Sequence, residues 1–162
     1  KQWTQADFKD ALDFDARKRN LANGKKMFAV AMCNRCHRHG REGYPIGPDL
    51  THVASRFGRA DLLAEILDPS KTIAENYQTT LLHLKDGRQL AGQIIPNLDY
   101  RAPTLQLAEN PLHPDKITKI PKGQITKRER SATSLMPPGL LNLLKKDEIL
   151  DLLAWLQIGD PR

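Results

Sequence analysis

The chain has 162 residues, of which 40% are hydrophobic and 27% charged, with a formal net charge of +6 at neutral pH. This size and apolar share suit one domain, or one domain with a large insertion, and exclude global disorder. No apolar run approaches the roughly 18 residues that span a bilayer, so the chain reads as not transmembrane. Its basic residues are scattered, with few aromatics among them and no nucleic-acid motif, which argues against DNA or RNA and for acidic protein partners.

Residues 1–19 read as a polar linker or N-terminal extension, without the apolar core of a secretory leader. Leu21, Gly24, Met27, Phe28 and Ala31 recur at three- and four-residue intervals, which predicts an amphipathic helix over Asn20–Met32. Cys33-Asn34-Arg35-Cys36-His37 follows, the C-x-x-C-H signature of covalent c-type haem. Two thiols add across the vinyl groups of one porphyrin edge, and the adjacent imidazole then lies under the iron. These are the chain's two cysteines, so none is left for a disulfide or a Cys₄ metal site. His37–Leu50 is rich in Gly and Pro and reads as loop, and Gly58–Leu67 as a helix stopped by Asp68-Pro69-Ser70. Ser70 is positioned to cap one more turn over Lys71–Glu75.

From Tyr77 the texture changes to β-formers. Tyr77–Leu84 and Gln89–Ile95 flank Lys85-Asp86-Gly87-Arg88, whose Asp-Gly pair signals a hairpin. Thr104–Leu107, Lys116–Ile120 and Gln124–Arg130 are further strand candidates, so residues 77–130 read as a β insertion. Leu140–Leu144 predicts one helical turn and Asp147–Ile158 a last helix with a wide apolar face. The expected fold class is therefore mainly α: a helical core, residues 20–162, interrupted by a small antiparallel β insertion.

His37 is the expected proximal ligand through Nε2. Three methionines compete for the distal position. Met32 adjoins Cys33 on the proximal side, Met27 lies on the helical stripe as core filler, and Met136 sits in the stiff loop Ser134-Leu135-Met136-Pro137-Pro138-Gly139. Met136 is favoured, while a second histidine (His52, His83 or His113) and an open sixth site remain as alternatives. A zinc site from Cys33, Cys36, His37 and His39 is a poor rival, because adjacent Cys36 and His37 cannot easily bind one ion together.

The order helix, C-x-x-C-H, loop, helix, Met-bearing loop, helix resembles class I cytochromes c. Gly24-Lys25-Lys26-Met27-Phe28, Gly47-Pro48-Asp49-Leu50-Thr51, Leu67-Asp68-Pro69-Ser70, Tyr77, Lys85-Asp86-Gly87-Arg88 and Ser134–Leu141 together are similar to the haem-binding cytochrome c domain common in planctomycetes and verrucomicrobia. Two departures are Lys145-Lys146 where a Ser or Thr cap is usual, with Asp147 the nearest cap, and the Pro-rich stretch Asn110–Asp115. The resemblance implies one haem c, attached at Cys33 and Cys36 and ligated by His37 and Met136. It also implies that the Pro48 carbonyl accepts the His37 proton, that Leu50 packs on the porphyrin, and that Gly24 lets the first and last helices cross. It implies an electron carrier rather than an enzyme, either alone or within a larger exported oxidoreductase. Such a protein is expected in the periplasm or another exported setting, passing single electrons between a separate or fused dehydrogenase and a downstream acceptor. The alternative function is a haem enzyme or gas sensor with a labile sixth ligand.

Overall fold

A computed structural model describes residues 1–110, 113 and 116–159; the stretch Asn110–Asp115 therefore lies mostly outside the described residues. The chain divides into two compact units, Lys1–Thr72 with Pro137–Arg162, and Ile73–Met136.

The first unit holds α1 (Leu21–Val30), a two-residue hairpin of β1 (Arg38–His39) and β2 (Glu42–Gly43), α2 (Arg59–Leu67) and α3 (Lys146–Ile158). Asn20 caps α1, its side chain accepting from Asn23 N at 3.0 Å. Met32, the one non-glycine residue with positive φ (59°) among the described residues, ends α1 and starts the Cys33–Arg35 turn. The cap of α3 is Lys145, not Asp147, and Glu148 satisfies its N–H at 2.7 Å.

Helices α1 and α3 cross in close contact at Gly24. A Cβ there would lie 2.2 Å from the Asp151 carbonyl oxygen and 2.7 Å from Trp155 Cβ. Around the crossing, Phe28 and Trp155 pack with ring centroids 5.1 Å apart, and Leu152, Leu153 and Ile149 are fully buried. The N-terminal residues are part of this core. Phe8 has no exposure, Trp3 Nε1 donates to Leu144 O at 3.1 Å, and Arg59 donates to the Leu12 and Phe14 carbonyls. Arg19 closes the segment against α3 through Asp151 at 2.8 Å.

The second unit is a five-stranded antiparallel sheet in the order β6-β5-β4-β3-β7. Its strands are β3 (Thr80–Leu84), β4 (Gln89–Ile95), β5 (Thr104–Ala108), β6 (Ile117–Pro121) and β7 (Ile125–Arg130). Asp86-Gly87 makes the β3–β4 turn, with Gly87 at φ 85° and Leu84 N bonded to Arg88 O at 2.9 Å. The first half of β4 pairs with β3 and its second half with β5. Gly92 sits at the changeover, where a Cβ would come within 2.5 Å of the Ala108 oxygen. Leu82, Leu84, Leu105, Leu107 and Ile120 form a core of their own, with Leu90 and Ile125 packed against it.

The expectation of a mainly α fold is overturned. Three α-helices of 10, 9 and 13 residues stand beside sheet strands of 5, 7, 5, 5 and 6 residues. The β segment has its own core and a long-range closure of β7 on β3, with Thr80 opposite Arg130. The molecule is therefore mixed α and β, not a helical fold with a minor insertion. The turn expected over Lys71–Glu75 is also displaced, to a 3₁₀ turn at Glu75–Tyr77.

Candidate haem-binding site

The C-x-x-C-H segment is a tight turn stacked on the end of α1. His37 N and Cys36 N both donate to Cys33 O, at 2.8 and 3.2 Å. The following loop then folds back, Ile46 N and Gly47 N reaching Cys36 O at 3.0 and 2.7 Å, and Tyr44 N reaching Asn34 O at 3.2 Å. Gly43, at φ 81°, passes so close that a Cβ would meet the His37 carbonyl at 2.1 Å.

This return places His37 Nδ1 2.8 Å from the Pro48 carbonyl. A carbonyl can only accept, so Nδ1 carries the proton and Nε2 keeps its lone pair. The ring lies against Gly47, where a Cβ would stand 2.9 Å from Cε1. Burial holds the imidazole pKa below its ordinary value, opposed in part by the Pro48 bond. Leu50, partly buried, is anchored by its N–H on Arg38 O at 2.8 Å. Arg56 donates to the Asp49 carbonyl at 3.1 Å.

Both cysteines are free, Cys33 buried and Cys36 partly exposed. Burial pushes the Cys33 thiol up to about 12 and raises that of Cys36, so both are neutral thiols at physiological pH. Two unpaired thiols beside an imidazole with Nδ1 committed and Nε2 available is a donor set that fits a covalent haem. It does not fit zinc. Among the described residues no group of three or more His, Cys, Asp or Glu side chains comes together to hold a metal ion. His39 is buried instead against Trp155, centroids 4.2 Å apart, with Nε2 3.2 Å from Leu156 O.

Cys33, Cys36, His37, Pro48 and Leu50 thus belong to the first unit, and Cys33, Cys36, His37 and Pro48 are linked by the bonds above. Met136 is the last residue of the second unit, partly buried, its N–H bonded to Ser134 Oγ at 3.1 Å. Met27 is a core residue of α1 and Met32 is half exposed. Sequence reasoning misses the packing role of His39 and the buried carboxylate of Asp151. Arg19, Asn20 N–H and Asn23 all donate to Asp151. The available signal was an acid standing among the apolar residues of α3.

Residues 21–89 match the family model described as Cytochrome c. A comparison with curated proteins gives no match. The family match covers the attachment motif and the Gly47-Pro48 loop and stops at Gln89, the first residue of β4, short of Met136. Residues 21–89 are thus similar to cytochrome c, a family of electron-transfer proteins with covalently bound haem c. Among the described residues no helix is long and apolar enough to cross a membrane.

Proposed function

We propose that this chain is a cytochrome c domain holding one haem c through Cys33 and Cys36, with His37 and Met136 as axial ligands. In this reading it relays single electrons between a dehydrogenase and a downstream acceptor, in the periplasm or another exported setting. The narrower likeness is to the haem-binding cytochrome c domains of planctomycetes and verrucomicrobia. The observation that carries the reading is the 2.8 Å bond from His37 Nδ1 to Pro48 O, which leaves Nε2 as a ligand atom of fixed orientation.

The haem would supply a one-electron couple at an iron that changes little in geometry. The chain's own residues do the rest. Pro48 holds the imidazole plane and strengthens its basicity, and Gly47 leaves the space that the ring occupies. The buried Cys33 would tie the porphyrin edge to the core. A thioether from Met136 would favour the reduced iron relative to a second imidazole, which suits an electron acceptor for a dehydrogenase. The net positive charge suits a partner with an acidic docking surface.

The test is the far-red Met–Fe(III) absorption band of the oxidised protein. Met136→Ala is expected to abolish it while the pyridine haemochrome spectrum of a c-type haem persists. Survival of the band would remove Met136 as ligand. Rapid CO binding by the reduced wild-type protein would instead favour a haem enzyme or gas sensor.

A further inference from the structure

The loop that carries Met136 is restrained by more than the two prolines that follow it. It leaves the sheet where Arg130, the last residue of β7, lies opposite Thr80. One further bond, from Ser131 N to Thr79 O at 2.8 Å, continues the ladder past the end of the strand. Only residues 132–135 separate this anchor from Met136. Two hydroxyl turns fold that short span. Ser131 Oγ accepts from Thr133 N at 3.1 Å, and Ser134 Oγ accepts from Met136 N at 3.1 Å.

The second turn acts on Met136 itself. A residue before proline is confined to extended backbone, so Pro137 restricts Met136 from its C-terminal side. The Ser134 hydroxyl holds it from the N-terminal side, and both residues are partly buried. A thioether is a neutral ligand with little affinity to offset the ordering of its own loop. Holding that loop in place before ligation therefore strengthens the bond.

We propose that Ser134 is a positioning residue for the sixth iron ligand: its hydroxyl fixes the Met136 main chain, so that the thioether resists displacement by competing ligands. This role deepens the electron-transfer reading and rests on Met136 being the axial ligand.

The test is an imidazole titration of the oxidised holoprotein, followed by loss of the far-red Met–Fe(III) band. Ser134→Ala is expected to bind imidazole about fivefold more tightly than the wild type, the equivalent of about 1 kcal/mol for one lost hydrogen bond. Ser134→Thr, which keeps the hydroxyl, should stay within about twofold of the wild type. In both variants the hydrogen-bonded His37 Nδ1–H resonance of the reduced protein should stay in place, because the change is confined to the Met136 loop. Equal imidazole affinity of Ser134→Ala and the wild type, with the band present in both, would overturn the positioning role and leave Met136 as ligand. Ser134→Thr binding imidazole as tightly as Ser134→Ala, or a displaced His37 resonance, would overturn it as well, by showing general loosening rather than the loss of one bond. A wild-type protein without the band would overturn the Met136 reading, and this role with it.

Discussion

Gly24→Ala puts one methyl group where α1 and α3 already touch. The new Cβ would be 2.2 Å from the Asp151 carbonyl oxygen, 2.8 Å from its carbonyl carbon and 2.7 Å from Trp155 Cβ. Two of these three atoms are backbone of α3, so no rotamer change relieves the contact. Reaching ordinary van der Waals distance, about 3.4 Å, requires the helices to part by roughly 1 Å. That movement loosens the Phe28–Trp155 and His39–Trp155 contacts, at 5.1 and 4.2 Å. Overpacking of this kind costs about 3 kcal/mol. Alanine recovers about 1 kcal/mol through its better helix propensity, leaving a net loss of about 2 kcal/mol. For a urea dependence of about 2 kcal/mol per molar, the midpoint falls by about 1 M. Trp3 and Trp155 both lie in the first unit, so tryptophan emission reads its unfolding directly. A Gly24→Ala midpoint equal to or above that of the wild type would refute the close-crossing argument.

Gly47→Ala would place a Cβ 2.9 Å from His37 Cε1 and 3.1 Å from Nδ1. The ring should swing off Pro48 at a cost of about 1 kcal/mol, seen as loss of the hydrogen-bonded Nδ1–H resonance; an unshifted resonance would contradict the geometry. Asp151→Asn leaves Arg19, at 2.8 Å, facing a neutral amide in a partly buried site. Denaturation should show about 2 kcal/mol of lost stability, and a change within ~0.5 kcal/mol would show the network to be incidental. Leu107→Ala, at a fully buried position of β5, should cost the sheet unit about 3 kcal/mol by chemical denaturation; a loss under ~1 kcal/mol would deny it a packed core. The Lys1 bond, followed by bonds from Thr4, lowers the Asp7 carboxyl to about 2 from an ordinary value of 3.8. A carboxyl held low in the folded state stabilises it fully above about pH 4 and ceases to do so as pH falls through about 2. The midpoint gap between wild type and Asp7→Asn should therefore close between those values, and a gap unchanged at pH 2 would exclude the ion pair as its source.

Local order is legible in this sequence wherever a short-range rule governs it. The spacing of Leu21, Gly24, Met27 and Phe28 marks α1, and Asp86-Gly87 marks the β3–β4 turn because Gly87 can take φ 85°. Cys33–His37 stands out because its chemistry needs fixed adjacency. What is not legible depends on long-range pairing. Nothing near Ile125–Arg130 announces that it closes on β3, which joins the chain more than 40 residues earlier, so the β segment reads as minor when it is a unit with its own core. Trp3, Phe8 and Phe14 follow neither a helical nor an alternating period, and the segment reads as linker although Phe8 is completely buried. Asp151 is hidden for a similar reason: its partners Arg19, Asn20 and Asn23 lie at the other end of the chain.

The central claim, one haem bonded to Cys33 and Cys36, is tested most directly by intact mass under denaturing acid conditions. Such conditions strip every non-covalent cofactor. The account predicts the sequence mass plus one haem, falling to the bare sequence mass when both cysteines are changed to serine. A wild-type chain at its bare sequence mass, purified from cells equipped for cytochrome c maturation, would contradict it.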